Sequence, residues 1–251
     1  IGFKTHTKIS LIIRKEKGRL RNYFHIGTGN YNSTTSKFYT DLGLLSTDTE
    51  IASDLIELFN YLSGFSKQKN YKKLLVSPFS MRKKFKYLIN REINNAQKGM
   101  KAEIIAKMNS LVDPEIIELL YKASEAGVKI NLIIRGICCL YPKKSNLSEN
   151  IRVVSIIGHF LEHSRIFWFC NNDNPEVFIG SADWMRRNLD RRIEAITPIE
   201  DKKLKKQLYN LLIIYLQDSY CSWEMDSKGN YSKSKTSKIN NSQFVLIEKW
   251  H

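Results

Sequence analysis

A chain of 251 residues with 42% hydrophobic content is long enough to bury one large core or two modest ones, which excludes wholesale disorder. Lys and Arg number 40 against 25 Asp and Glu, and the formal net charge of +15 favours a polyanionic partner such as nucleic acid, a phosphate polymer or an anionic lipid surface. No run approaches the ~18 apolar residues of a membrane span, and Cys138, Cys139, Cys170 and Cys221 show no spacing that would hold zinc, a pattern suited to a reducing cytoplasm.

The N-terminus has neither an initiator Met nor a small-residue cleavage site, and Ile1 reads as a cut inside a longer protein. Lys8–Arg14 is a predicted strand, with Asn22–Ile26 as its hairpin partner across the polar turn Lys15–Arg21. Asp41–Leu45 is a further predicted strand. Asp48 then caps a helix on which Ile51, Leu55, Leu58, Phe59 and Leu62 recur at helical spacing. Ser63–Asn70, polar and Gly-containing, is the expected interdomain linker.

Leu74–Ser77 has the composition of a short buried strand, and Ser80 is the expected cap of a helix running to about Lys98. Strand-like Ala102–Met108, a helix opened by Asp113-Pro114 and ending near Gly127, and strand-like Lys129–Arg135 form a βαβ unit, so part of the sheet should be parallel. Cys138 and Cys139 follow that strand and are expected to be buried thiols. Ile151–Ile156, Arg165–Phe169, Val177–Ile179 and Arg192–Thr197 complete the predicted strands, and Lys202–Leu216 is an amphipathic helix. The Ser-, Lys- and Asn-rich stretch Ser227–Asn241 is expected to be mobile or loosely docked.

One half-site occurs twice. The first copy reads His6-Thr7-Lys8, an apolar strand, Gly27-Thr28-Gly29-Asn30-Tyr31 and later Asp41; the second reads His163-Ser164-Arg165, an apolar strand, Gly180-Ser181-Ala182-Asp183-Trp184 and later Glu194. From the glycine onward the copies stay 153 positions apart, and the histidines stand 157 apart because the first hairpin is four residues longer. An imidazole with a cation two residues on, along a strand, puts a nucleophile or proton carrier beside a holder of phosphoryl oxygens. Gly-Thr-Gly and Gly-Ser would turn the backbone tightly and offer N–H groups and a hydroxyl to phosphate. A carboxylate such as Asp41 or Glu194 can take one ring N–H and leave the other nitrogen to react. Lys8, Asn30 and Arg165 are the expected phosphate contacts. His25 and His159 match nothing in the other copy and read as packed or surface residues.

The paired HxK and HxR half-sites resemble the phospholipase D superfamily. Longer strings narrow this: His25-Ile26-Gly27-Thr28-Gly29-Asn30-Tyr31-Asn32, Tyr39-Thr40-Asp41, Lys107-Met108-Asn109-Ser110-Leu111-Val112-Asp113, Arg135-Gly136-Ile137-Cys138, Leu161-Glu162-His163-Ser164-Arg165 and Ser181-Ala182-Asp183-Trp184-Met185. From about Gly2 to Glu224 the chain is similar to the C-terminal catalytic half of bacterial polyphosphate kinases.

That resemblance implies an α/β fold of two phospholipase D-like domains with mixed sheets flanked by helices. Residues 1–70 would be the remainder of a truncated first domain, 71–225 the second domain and 226–251 a polar tail. It implies reversible transfer of the ATP γ-phosphate to inorganic polyphosphate, with His6 as the phosphorylated residue and His163 as general acid and phosphate contact. Tyr39, Arg135 and His163 would bind the nucleotide, and Asp41 and Glu194 would orient the histidines. Mg2+ would come with ATP, its protein ligands lying in the missing N-terminal part of the family's enzyme and none in these residues. Expected partners are ATP or ADP and polyphosphate, without nucleic acid or an integral membrane segment, in a cytoplasmic homo-oligomer. Because parts of the family's enzyme are missing here, the piece alone should be weakly active or inactive. The competing readings are a phospholipase D-like nuclease and a non-catalytic polyanion-binding module.

Overall fold

The computed structural model describes residues 2–67, 70–233 and 240–250. A short strand β1 (Lys4–Thr5) precedes the hairpin β2 (Lys8–Glu16) and β3 (Arg19–Gly27), which pair antiparallel along their full lengths. The predicted seven-residue turn contracts to Lys17-Gly18, because both residues adopt positive φ, the twist-matching geometry of a two-residue hairpin. The predicted strand Asp41–Leu45 begins two residues late, as β5 (Gly43–Ser46), and a separate short β4 (Tyr39–Thr40) precedes it across a break. Asp41 leaves the ladder at that break, between the two short strands.

Helix α1 (Thr49–Leu62) starts as expected, with Asp48 Oδ1 accepting from the amides of Glu50 at 3.0 Å and Ile51 at 2.8 Å. Its apolar stripe, Ile51, Ala52, Leu55 and Leu58, packs on Phe24 and Ile26 and also on Leu74, Val76, Ile193 and Ala195 from later in the chain. The first unit therefore shares its core with the second. Of the expected linker Ser63–Asn70, residues 68 and 69 lie outside the described residues.

β6 (Leu75–Ser77) and α2 (Met81–Gln97) come next; Ser80 stands at the cap position, but its hydroxyl accepts from the Val76 amide rather than from the helix. The predicted βαβ unit is β7 (Glu103–Met108), α3 (Pro114–Glu125) and β8 (Lys129–Ile134), with β7 and β8 parallel from Glu103↔Lys129 to Met108↔Ile134. After β9 (Ile151–Ile156) come β10 (Leu161–Glu162), β11 (Ile166–Phe169), β12 (Glu176–Gly180), α4 (Arg186–Asp190), β13 (Arg192–Ile199) and α5 (Lys202–Leu216).

Together with β14 (Ser222–Met225) and β15 (Tyr231–Lys233) these form a ten-stranded mixed sheet ordered β1-β13-β12-β11-β7-β8-β9-β14-β15, with β6 also on β13. Strand alternation sends Ile104, Ala106 and Met108 to the face covered by α2 and α3, and Ile105 to the face covered by α5. Among the described residues no helix is long and apolar enough to cross a membrane.

Two further expectations differ from the structure. Cys138 is only half-buried and Cys139 is exposed, because β8 ends at Ile134 and both lie in the loop beyond it. The stretch Ser227–Asn241, in its described part, is not loose: β15 pairs with β14, and α6 (Ser242–Trp250) comes directly after it. The Asp218 carboxylate gathers the amides of Cys221 at 2.6 Å, Ser222 at 2.9 Å and Ser242 at 2.7 Å, which pins the last helix to the domain. Residues 234–239 lie outside the described residues.

Candidate active site

The two copies of the half-site meet at two short parallel bridges. β1 lies beside β13 (Lys4↔Arg192, Thr5↔Ile193), and the amides of His6 and Thr7 both donate to the Ile193 carbonyl, at 2.9 and 3.1 Å. That places His6 next to Glu194. β4 lies beside β10 (Tyr39↔Leu161, Thr40↔Glu162), and the His163 amide donates to the Thr40 carbonyl at 3.2 Å. That places His163 next to Asp41. The result is a crossing: His6 Nδ1 is 2.9 Å from Glu194 Oε2, and His163 Nδ1 is 2.9 and 3.0 Å from the two Asp41 oxygens. Each histidine is held by the carboxylate of the other copy. With Nδ1–H donated to a carboxylate, each ring has Nε2 as its reactive nitrogen.

The motif hydroxyls serve these carboxylates rather than an incoming phosphate, contrary to the sequence reading. Thr28 Oγ1 donates to Asp41 Oδ1 at 2.6 Å, and in the second copy Ser181 Oγ donates to Glu194 Oε2. Each hydroxyl also accepts a backbone amide from the carboxylate's own segment, Leu42 at 2.9 Å and Ala195 at 3.2 Å. The glycines make room rather than sharp turns. A Cβ on Gly29 would stand 2.2 Å from Asp41 Oδ2, and one on Gly180 would stand 2.3 Å from the Ala195 carbonyl oxygen. Asn188 Nδ2 completes the set by donating to Glu194 Oε1. Glu194 is fully buried with three donors around it, whereas the Asp41 side chain is 24% exposed.

The motif cations sit at matching places with different surroundings. Arg165 is buried and pairs with Asp183 through Nε at 3.1 Å, while its Nη1 donates to the carbonyls of Thr28 at 3.1 Å and His163 at 2.9 Å. The same Nη1 lies 3.3 and 3.2 Å from the two His163 ring nitrogens. Lys8 is buried and donates to the His6 carbonyl. Burial, reinforced by Arg165 and offset in part by Glu194 and Asp41, draws its pKa from 10.5 down to about 8. The His163 pKa is also lowered, first by burial and then by Arg165 and Arg135, against the pull of Asp41. Asp183 is buried, but its counterpart Asn30 is exposed.

Tyr39 and Arg135 join the same site. The Tyr39 ring lies 5.0 Å from that of His163, centre to centre. Arg135, just past the end of β8, is held through Nε at 2.9 Å and Nη2 at 2.5 Å by Asn109 Oδ1, and the Asn109 amide nitrogen donates to Asp183 Oδ1 at 3.2 Å. Sequence reasoning singles out neither Asn109 nor Asn188; Asn109 lies inside a matched string, while nothing in the sequence marks Asn188. His25 packs over Gly27 and Gly43 and bonds the Tyr31 hydroxyl at 2.7 Å, and His159 is exposed against Phe160.

Residues 1–69 match the family description "Polyphosphate kinase C-terminal domain 1", and residues 74–243 match "Polyphosphate kinase C-terminal domain 2". A polyphosphate kinase of Parasynechococcus marenigrum (strain WH8102) is 59% identical over 253 residues, covering 100% of this chain and 36% of that protein. One of Pseudomonas aeruginosa is 48% identical over 252 residues, covering 99% of this chain and 36% of that protein. The crystal structure of the polyphosphate kinase from Porphyromonas gingivalis superposes with a TM-score of 0.94 at 39% identity, covering 99% of this chain and 39% of that one. The chain thus spans a little over a third of the length of these relatives.

Proposed function

The chain belongs to the polyphosphate kinase family, and from that premise we propose that it carries the phosphoryl-transfer centre of an enzyme moving the ATP γ-phosphate to inorganic polyphosphate and back. The observation that carries the reading is the crossed pair of couples, His6–Glu194 and His163–Asp41, which presents two imidazoles with Nδ1 engaged.

His6 is the nucleophile. Its Nε2 forms a bond to the γ-phosphorus as the bond to the β-phosphate oxygen breaks and ADP leaves. The terminal oxygen of a polyphosphate chain then attacks that phosphorus, and Nε2 recovers its electron pair. Glu194, accepting from Nδ1–H, stabilises the positive charge that develops on the ring, help of a kind typically worth about 10²–10⁴-fold in rate. His163, with its pKa lowered, is neutral at pH 7 before substrate arrives. Phosphate charge bound beside it raises that pKa again, and the protonated ring then acts as acid at the leaving oxygen. Tyr39 and Arg135 flank His163 as nucleotide contacts; Lys8, Asn30 and Arg165 line the phosphate side. Magnesium would accompany ATP and would neutralise part of the phosphate charge. Among the described residues no three His, Cys, Asp or Glu side chains are grouped to hold a metal, and no step is assigned to one. We further propose a cytoplasmic homo-oligomer, acting on polyphosphate rather than nucleic acid.

Exposure of the full-length enzyme to labelled ATP should leave acid-labile phosphate on His6. A His6→Ala protein that still labels would overturn the assignment.

A further inference from the structure

Behind the His163–Asp41 couple lies a buried charge pair that the reaction does not touch. Lys107 of β7 is 1% exposed and Glu162 of β10 is 2% exposed, with Nζ 3.2 Å from Oε2. The pair is saturated with partners. Lys107 Nζ also donates to Ser164 Oγ at 2.7 Å and lies 4.9 Å from the centre of the Tyr215 ring. Glu162 Oε2 accepts from Thr40 Oγ1 at 2.8 Å, and Oε1 accepts from Gln243 Nε2 of α6 at 2.8 Å.

Stability alone does not account for such a pair. Two charges taken out of water give back little net stability, and apolar residues of similar volume in their place are often neutral or stabilising. Burial already pushes the Lys107 pKa down. Placement offers a better account. Glu162 and Ser164 are the residues on either side of His163, and Lys107 holds both. Thr40 precedes Asp41, and Glu162 holds it. The backbone bridge they brace, β4 against β10, is two residues long on each side. Nor is the pair inherited from the duplication, since Thr5 and Thr7 flank His6 where Glu162 and Ser164 flank His163.

We propose that Lys107 and Glu162 are positioning residues that keep the His163 ring and the Asp41 carboxylate in register, and that Gln243 makes helix α6 part of the same clamp. The inference rests on the reading of His163 as the partner of His6. Its test needs no turnover, so its failure and the failure of that reading are distinguishable.

Nitrogen-15 NMR of the chain with labelled histidine, the His163 signal assigned by His163→Gln, reports which ring nitrogen carries the proton. Lys107→Met with Glu162→Leu removes the pair at similar volume; Thr40→Val leaves the pair in place and removes the Thr40 hydroxyl that ties Glu162 to the Asp41 segment, together with its longer bond to the Leu161 carbonyl. In the native chain His163 should hold its proton on Nδ1. The double variant should melt at or above the native temperature and Thr40→Val somewhat below it, since it leaves a buried Glu162 oxygen one donor short; in both, His163 should go over to a majority of the Nε2–H form. An unchanged Nδ1–H signal in both variants overturns the inference. So does a double variant that cannot fold, because the pair would then serve stability.

Discussion

Replacing Lys8 by Met should stabilise the fold at neutral pH. Lys8 is 5% exposed, and its pKa falls from 10.5 in the unfolded chain to about 8 in the folded one. Between those values the unfolded chain binds more protons, so the stability of the native protein rises with pH from about 8 to 10.5, and the cost is fully present below pH 8. A gap of about 2.5 pH units, at about 1.4 kcal/mol per unit, amounts to about 3 kcal/mol. Methionine matches the length of the stem without the charge and gives up the bond to the His6 carbonyl, a loss of about 1 kcal/mol. The variant should therefore be about 2 kcal/mol more stable at pH 7, and this advantage should be gone by about pH 10.5. Urea unfolding of both proteins at the two pH values measures it, the comparison cancelling all other titrations. A variant less stable than the native chain at pH 7, or a difference that does not change with pH, would refute the reasoning. The expected outcome, more stable and less able to hold phosphate, is what a cation retained for chemistry should give.

Glu194→Gln places an amide donor among three donors, and should slow ATP-dependent labelling of His6 by about 10²–10⁴-fold; labelling at the native rate would remove Glu194 from the mechanism. Gly43→Ala drives a Cβ to 2.1 Å from His25 Nε2 and should cost about 1–3 kcal/mol in thermal unfolding. Adding His25→Ala should recover most of that loss, and a double variant as unstable as Gly43→Ala alone would show that the crowding lies elsewhere.

Much of the site is legible in the sequence because a duplicated pattern carries its own control. His6, Lys8, Asp41 and their counterparts His163, Arg165 and Glu194 can be matched position by position. What the matching does not reveal is how the copies interlock. Spacing assigns Asp41 to the copy of His6, yet the bridges β1–β13 and β4–β10 carry it to His163 instead, and pairing between distant strands leaves no local trace. The hydroxyls of Thr28 and Ser181 mislead for a related reason: a Gly-Thr-Gly string looks the same whether it faces a phosphate or an internal carboxylate. Helices α1 and α3 are legible from their caps and stripes, since both signals are local. The docking of α6 is not, because it depends on Asp218 and Glu162, both far away in the sequence.

The crossing also bears on the unequal roles proposed for two similar histidines. Glu194 is sealed from solvent with Ser181, Asn188 and His6 as donors, so its charge acts on His6 in a low-dielectric setting and its position is fixed. Asp41 is partly solvated, which screens its pull on His163, and the Arg165 guanidinium lies against the His163 ring and opposes protonation. The His6 side chain is 24% exposed against 11% for His163. The ring with the firmer anchor and the more open face is the better placed to attack phosphorus; the ring crowded by cations is the better placed to meet the charge of the leaving phosphates. Because each anchor comes from the other copy, neither half holds a complete couple alone, and the proposed chemistry requires the two halves to join.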